Sequence, residues 1–136
     1  MSWRKDQRRA ERGYHHGNLK EALLQAALDL IAQKGAAGFT FADAARMAGV
    51  SPAAPYRHFR DRDELLASIA QRGFEQFEAQ LGQAWDDGRP NTVTAFERVG
   101  KAYLRFAREE PAFYSAMFES GLPADSNPTL LAASER

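Results

Sequence analysis

TFADAARMAGVSPAAPYRHF, residues Thr40 to Phe59, carries two helix starts with a single glycine between them. Thr40 can cap a helix through its hydroxyl, and Asp43, three residues on, can reach back to the cap amide in an approximate capping box. Phe41 to Ala48 is alanine-rich and free of proline, which favours about two helical turns. Gly49 stands where a left-handed residue would end that helix, because glycine adopts positive φ without a Cβ clash. Val50 supplies an apolar contact inside the corner. Ser51-Pro52 then starts the second helix, with a capping hydroxyl followed by a residue whose missing N–H would have had no partner. Helices joined this tightly cross steeply, the geometry of a helix-turn-helix, in which one helix lies over a phosphate backbone and the other enters a major groove.

The second helix has the composition of a reader. Ala53 and Ala54 are small enough to let its N-terminus approach base edges and thymine methyl groups. Tyr56, Arg57 and His58 offer a hydroxyl, a forked cation and an imidazole, suited to phosphate oxygens or, for the arginine, to guanine. Phe59 points the other way and is expected to lock the segment to a core. Pro55 removes a helical hydrogen bond and disfavours helical geometry at Ala54, so the reader is expected to be distorted or to begin late.

On the N-terminal side, Asn18 and Glu21 form a cap pair for a helix whose apolar positions, Leu19, Leu23, Ala26, Ala27, Leu30 and Ile31, recur at helical spacing. Gly35 ends it, and Phe39 and Phe41 bracket the next helix start. These parts predict a small three-helix head. On the other side, Asp61 caps a long helix from Arg62 to about Trp85, with Leu65, Leu66, Ile69, Ala70, Phe74, Phe77 and Leu81 on one stripe. Asp86-Asp87-Gly88-Arg89-Pro90 breaks it. A further helix is expected over about 91–109, with Val93, Phe96, Val99, Tyr103, Leu104 and Phe106 buried, and another opens at Pro111. Gly121, Pro123 and Pro128 read as a loop, and residues 129–134 as the start of another helix. The fold class is all-α.

Charge divides the chain in two. Over its 136 residues the formal net charge is zero, yet residues 1–62 hold eleven Lys and Arg against six Asp and Glu, whereas residues 63–136 hold seven against twelve. A basic half joined to an acidic one suggests a nucleic-acid face attached to a module with another job, and predicts salt-sensitive binding. Residues 1–13 are a charged arm with Arg4, Lys5, Arg8, Arg9 and Arg12, expected to be disordered and placed either as a solubilising tail or along a DNA backbone. His15-His16 lacks the further ligands a metal site needs. With no cysteine, no signal-peptide core and no apolar run of membrane-spanning length, a soluble cytoplasmic protein without membrane partners is the expectation. No nucleophile with its base, facing carboxylate pair, phosphate loop or H-E-x-x-H helix is present, which argues against an enzyme and implies no catalytic residue, metal or cofactor. The even overall charge leaves a helical protein-interaction module without DNA as the alternative.

Residues 17–66 resemble the DNA-binding domain of the TetR family of bacterial one-component regulators. The likeness lies in the first helix, the Thr40 helix start, the A-G-V-S turn at Ala48 to Ser51, the run Tyr56-Arg57-His58-Phe59, and Arg62 leading into Glu64-Leu65-Leu66. It implies DNA contacts from Thr40, Phe41, Ala42, Ser51, Ala53, Ala54, Tyr56, Arg57, His58 and Arg62, the last of these on phosphate. It also implies a helix-turn-helix domain over residues 14–62 and a helical effector-binding and dimerisation domain over residues 63–136. The expected activity is that of a ligand-responsive repressor binding a near-palindromic operator in double-stranded DNA as a homodimer. Nine of the fifteen aromatic residues fall between Phe74 and Phe118. The resemblance places a pocket for an unknown small-molecule effector among them, with Phe74, Phe77, Phe96, Tyr103, Phe113 and Met117 as its candidate lining. Family members run on for several more helices, so the second domain is expected either to be truncated at Arg136 or to dimerise through another surface.

Overall fold

The computed structural model describes residues 18–121, so the basic arm, His15-His16 and residues 122–136 lie outside the described residues. The described chain contains five α-helices: α1 (Leu19–Lys34), α2 (Phe41–Ala48), α3 (Arg62–Trp85), α4 (Thr92–Glu109) and α5 (Pro111–Phe118). Two short 3-10 turns interrupt them, at Ala54–Arg57 and Asp86–Gly88. Among the described residues no helix is long and apolar enough to cross a membrane.

Four of the five helix starts are set by a local side chain. Asn18, Thr40, Asp61 and Asn91 each accept a hydrogen bond from the backbone N–H three residues on, satisfying a donor that the helix itself leaves open. At Thr40 the box closes in both directions. Its hydroxyl lies 3.0 Å from the Asp43 N–H, and the Asp43 carboxyl is held below its ordinary pKa first by the Thr40 hydroxyl and further by Lys34, the Thr40 amide and Arg46. α2 ends as anticipated: Gly49 adopts φ 76°, Val50 N–H reaches Ala45 O at 3.0 Å and Gly49 N–H reaches Arg46 O at 3.1 Å, the paired bonds of a Schellman ending.

One core serves the head and reaches beyond it. Leu23, Leu24, Leu30 and Ile31 of α1, Phe39 of the following loop, Ala44 of α2 and Phe59 behind the reader pack with Leu65, Leu66, Ile69 and Ala70 of α3 and with Ala116 of α5. The division expected at residue 62 therefore runs through the middle of this cluster, and the first turns of α3 complete the head. Gly73 marks where α3 and α5 approach most closely, since a Cβ there would lie 2.6 Å from Met117 Sδ and 3.2 Å from Phe113 Cδ1. Beyond Gly73, Phe74, Phe77 and Leu81 are only half-buried.

The burial expected for α4 is corrected. Ala95, Ala102 and Phe106 are its buried residues, while Val93, Phe96 and Leu104 are 68%, 73% and 65% exposed. Small side chains let α4 lie close against α3, which turns the larger apolar side chains of the helix outward.

An ion pair clamps α1 to α3. Arg72 Nη1 donates to Glu21 Oε2 at 2.9 Å while Nη2 bonds Oε1, and the carboxyl is held below its ordinary value chiefly by this hydrogen bond. Because the folded pKa is the lower one, the pair stabilises the fold above the unfolded carboxyl pKa, and this contribution disappears as pH falls through the folded value. Both side chains are roughly half exposed, so screening limits it to no more than about 1 kcal/mol. Urea melts of Glu21→Gln and the parent should therefore differ by that small amount at pH 7 and converge at acid pH.

Candidate nucleic-acid interface

The turn after α2 delivers the reader to the surface by an unexpected route. The second helix anticipated from Pro52 is instead a four-residue 3-10 turn, Ala54–Arg57. Its bonds run three residues back, from Ala54 N to Ser51 O at 3.0 Å, Tyr56 N to Ala53 O at 3.2 Å and His58 N to Pro55 O at 3.1 Å. Pro55 explains this, because it has no N–H to extend an α-helical ladder and constrains Ala54 before it. Its ring is fully buried, as is the Phe59 side chain, so the segment is pinned from beneath at both ends. Ser51 serves the turn through its carbonyl, and the 3-10 turn has no side-chain cap.

What the pins leave outside is a polar ridge. Tyr56 is 63% exposed and meets Phe41 edge-on, ring centroids 5.0 Å apart, which holds the phenol upright. Arg57 and His58 follow it into solvent. Among the described residues the Arg57 guanidinium has no ion pair and no hydrogen bond, whereas Arg46 pairs with Asp43 at 3.4 Å and Arg60 with Asp61 at 3.5 Å. Beside the ridge lies an open concavity of about 580 Å³, bordered by Asn18, Lys20, Ser51, Arg57 and His58. Lys20 Nζ sits 5.9 Å from the Phe59 ring centre. Two cations, an imidazole and a hydroxyl around one hollow make a site suited to phosphate oxygens.

A second concavity lies in the body between α3, α4 and α5. It encloses about 810 Å³ and is walled by Phe74, Phe77, Leu81, Trp85, Phe96, Val99, Tyr103 and Phe118, with Glu78 and Gly82 completing the lining. Phe77 is the hub, its ring centre 5.5 Å from Tyr103, 5.1 Å from Phe106 and 6.3 Å from Phe118. The Tyr103 and Tyr114 hydroxyls are 3.3 Å apart, and that bond holds the Tyr114 phenol above its ordinary pKa.

A sequence model of the bacterial regulatory proteins of the tetR family matches residues 23–69, the span that holds most of α1, all of α2, the reader and the first turns of α3. The head of the chain is that of the TetR family. A solved structure of a protein of unknown function from a Rhodococcus species is 32% identical, with a TM-score of 0.73, covering 90% of this chain and 63% of that one. The fold also matches a TetR family transcriptional regulator, PfmR from Thermus thermophilus, at 24% identity and a TM-score of 0.68, over 83% of this chain and 62% of that one. Among curated proteins, the nucleoid occlusion factor SlmA of Aliivibrio fischeri is 28% identical over 110 residues, 76% of this chain and 56% of that protein. The chain thus spans somewhat more than half the length of the relatives it matches.

The residues carried over from the TetR resemblance fall into three groups. Thr40, Ala42, Ser51, Ala53, Tyr56, Arg57 and His58 are exposed around the ridge. Ala54 is buried and Phe41 half-buried beneath it. Arg62 bonds inward while 31% of its side chain stays exposed: its Nε donates to Phe39 O at 2.8 Å, Nη2 bonds Ala36 O, Nη1 lies 3.5 Å from Asp63 Oδ1, and the guanidinium lies 4.8 Å over the Phe39 ring. Sequence reasoning missed Asn18 and Lys20, which come alongside the reader only through the packing of α1. In the body cleft, Phe74, Phe77, Phe96 and Tyr103 line the walls. Phe113 and Met117 face Gly73 in the seam between α3 and α5 instead, because α5 presents Phe118 to the cleft. Trp85, Leu81 and Val99 join the lining.

Proposed function

We propose that the chain is a DNA-binding transcriptional regulator, a cytoplasmic repressor that reads a near-palindromic operator as a homodimer and releases it on binding a small molecule. The observation that carries this reading is the unpaired Arg57 fork on an exposed ridge beside Lys20 and His58, set on a head of the TetR family. Tyr56, Arg57, His58 and Lys20 supply the phosphate contacts, and Ala42, Ala53 and Ser51 are small enough to meet base edges. With a four-residue turn in place of a full helix, few side chains reach the groove, and affinity rests heavily on phosphate. A two-fold pair of heads restores what one head lacks, since each reads one half-site.

The aromatic cleft is the effector site in this reading. Its walls suit a largely apolar, planar molecule, and such a ligand acts only if it binds the DNA-bound and free states with different affinity. A gel shift against double-stranded fragments from the region adjoining the coding sequence tests the proposal. A specific shift is expected, weakening steeply between about 50 and 200 mM salt as released counterions oppose binding. If no fragment gives a salt-sensitive shift, the helix-turn-helix serves protein contacts instead.

A further inference from the structure

Ser115 is the one buried polar residue of the described core, 8% exposed, and its partner lies 79 positions away in the head. Its Oγ accepts a hydrogen bond from the N–H of Ala36 at 3.2 Å. The carbonyl of the same residue accepts from Arg62 Nη2, at the start of α3. Ala36 is itself buried, in the loop between α1 and α2, directly before the helix-turn-helix. A single residue is thus gripped on its N–H by the body and on its carbonyl by the connecting helix.

We infer that the Ala36 backbone is the joint by which α5 fixes the helix-turn-helix, with Ser115 and Arg62 as positioning residues. The inference rests on the DNA-binding reading for its functional consequence. Both grips are costly to lose, because the freed N–H or carbonyl would stay buried with no water to replace its partner. Arg62 holds more than Ala36: its Nε bond to Phe39 O and its stacking on the Phe39 ring fasten the far end of the same loop. Phe118, one turn beyond Ser115 on α5, is a wall of the aromatic cleft. A molecule that displaces Phe118 therefore moves the helix that holds Ala36. This path from cleft to reader runs through α5 and the Ala36 loop.

The joint is tested with Ser115→Ala, Arg62→Lys and the double variant, against duplexes enriched by the wild-type chain from a random pool. By amide exchange, Ser115→Ala should speed exchange at Ala36 by about tenfold or more while Leu30 and Ile31 keep their protection, since local opening is separable from global unfolding. Each single variant should weaken binding to the enriched duplex, and the double variant should be little weaker than the worse single one, because both act on one joint. Unchanged exchange at Ala36 would overturn the inference. So would faster exchange there with unchanged affinity, or losses that simply multiply in the double variant. Should the wild-type chain enrich no duplex, the DNA reading is what fails, and exchange at Ala36 still decides whether the joint exists.

Discussion

Phe39→Ala should remove about 3–5 kcal/mol from the unfolding free energy, the usual range for emptying a phenylalanine site in a closed core. Phe39 is 1% exposed and stands where α1, α2 and α3 converge, so no neighbour can collapse into the space without moving a helix. It is also the surface on which the Arg62 guanidinium lies, so its removal loosens the loop before the reader as well. The same substitution at Phe96, which is 73% exposed, should change stability by less than about 0.5 kcal/mol. Urea denaturation followed by helical circular dichroism gives both values. Similar losses for the two variants would mean that the burial described for α4 is not the one the chain adopts.

Arg57→Ala should weaken operator binding by about 1.5–3 kcal/mol, the range for losing hydrogen bonds to a charged partner. If the hollow that Arg57 borders with Lys20 and His58 takes phosphate, as proposed, the loss should be uniform across operator variants. The slope of log affinity against log salt should fall by about one unit. Relaxed specificity at a single base pair, with an unchanged salt slope, would instead put the fork on a guanine. Fluorescence anisotropy titrations at several salt concentrations separate the two outcomes. Arg46→Ala is the useful comparison, since Arg46 is already paired with Asp43 and should lose less.

The framework was legible because its signals are local. Asn18, Thr40 and Asp61 each sit directly before the helix they cap, and Gly49 takes the positive φ that its place in the chain required. Pro55 announced a distorted reader, and a 3-10 turn stands there. Misreadings cluster where two faces of one helix were both apolar. On α4 the large residues Val93, Phe96 and Leu104 drew the assignment to the core, yet Ala95 and Ala102 were the ones that let the helix approach α3. Likewise Phe113 and Met117 were read into the cleft, although α5 is apolar enough all round to face either way.

From residues alone came the element order, the caps, the glycine corner, the basic head and the family to which it belongs, all properties of neighbours within a few positions of one another. Packing alone decided the partners of Arg62, the alignment of Lys20 with Arg57, the orientation of α4 and the bond from Ser115 to Ala36. Each of these joins groups far apart in the chain, and Arg62 shows why they escaped notice. A guanidinium suits a phosphate and a pair of loop carbonyls equally well, and only the folded distances choose between them.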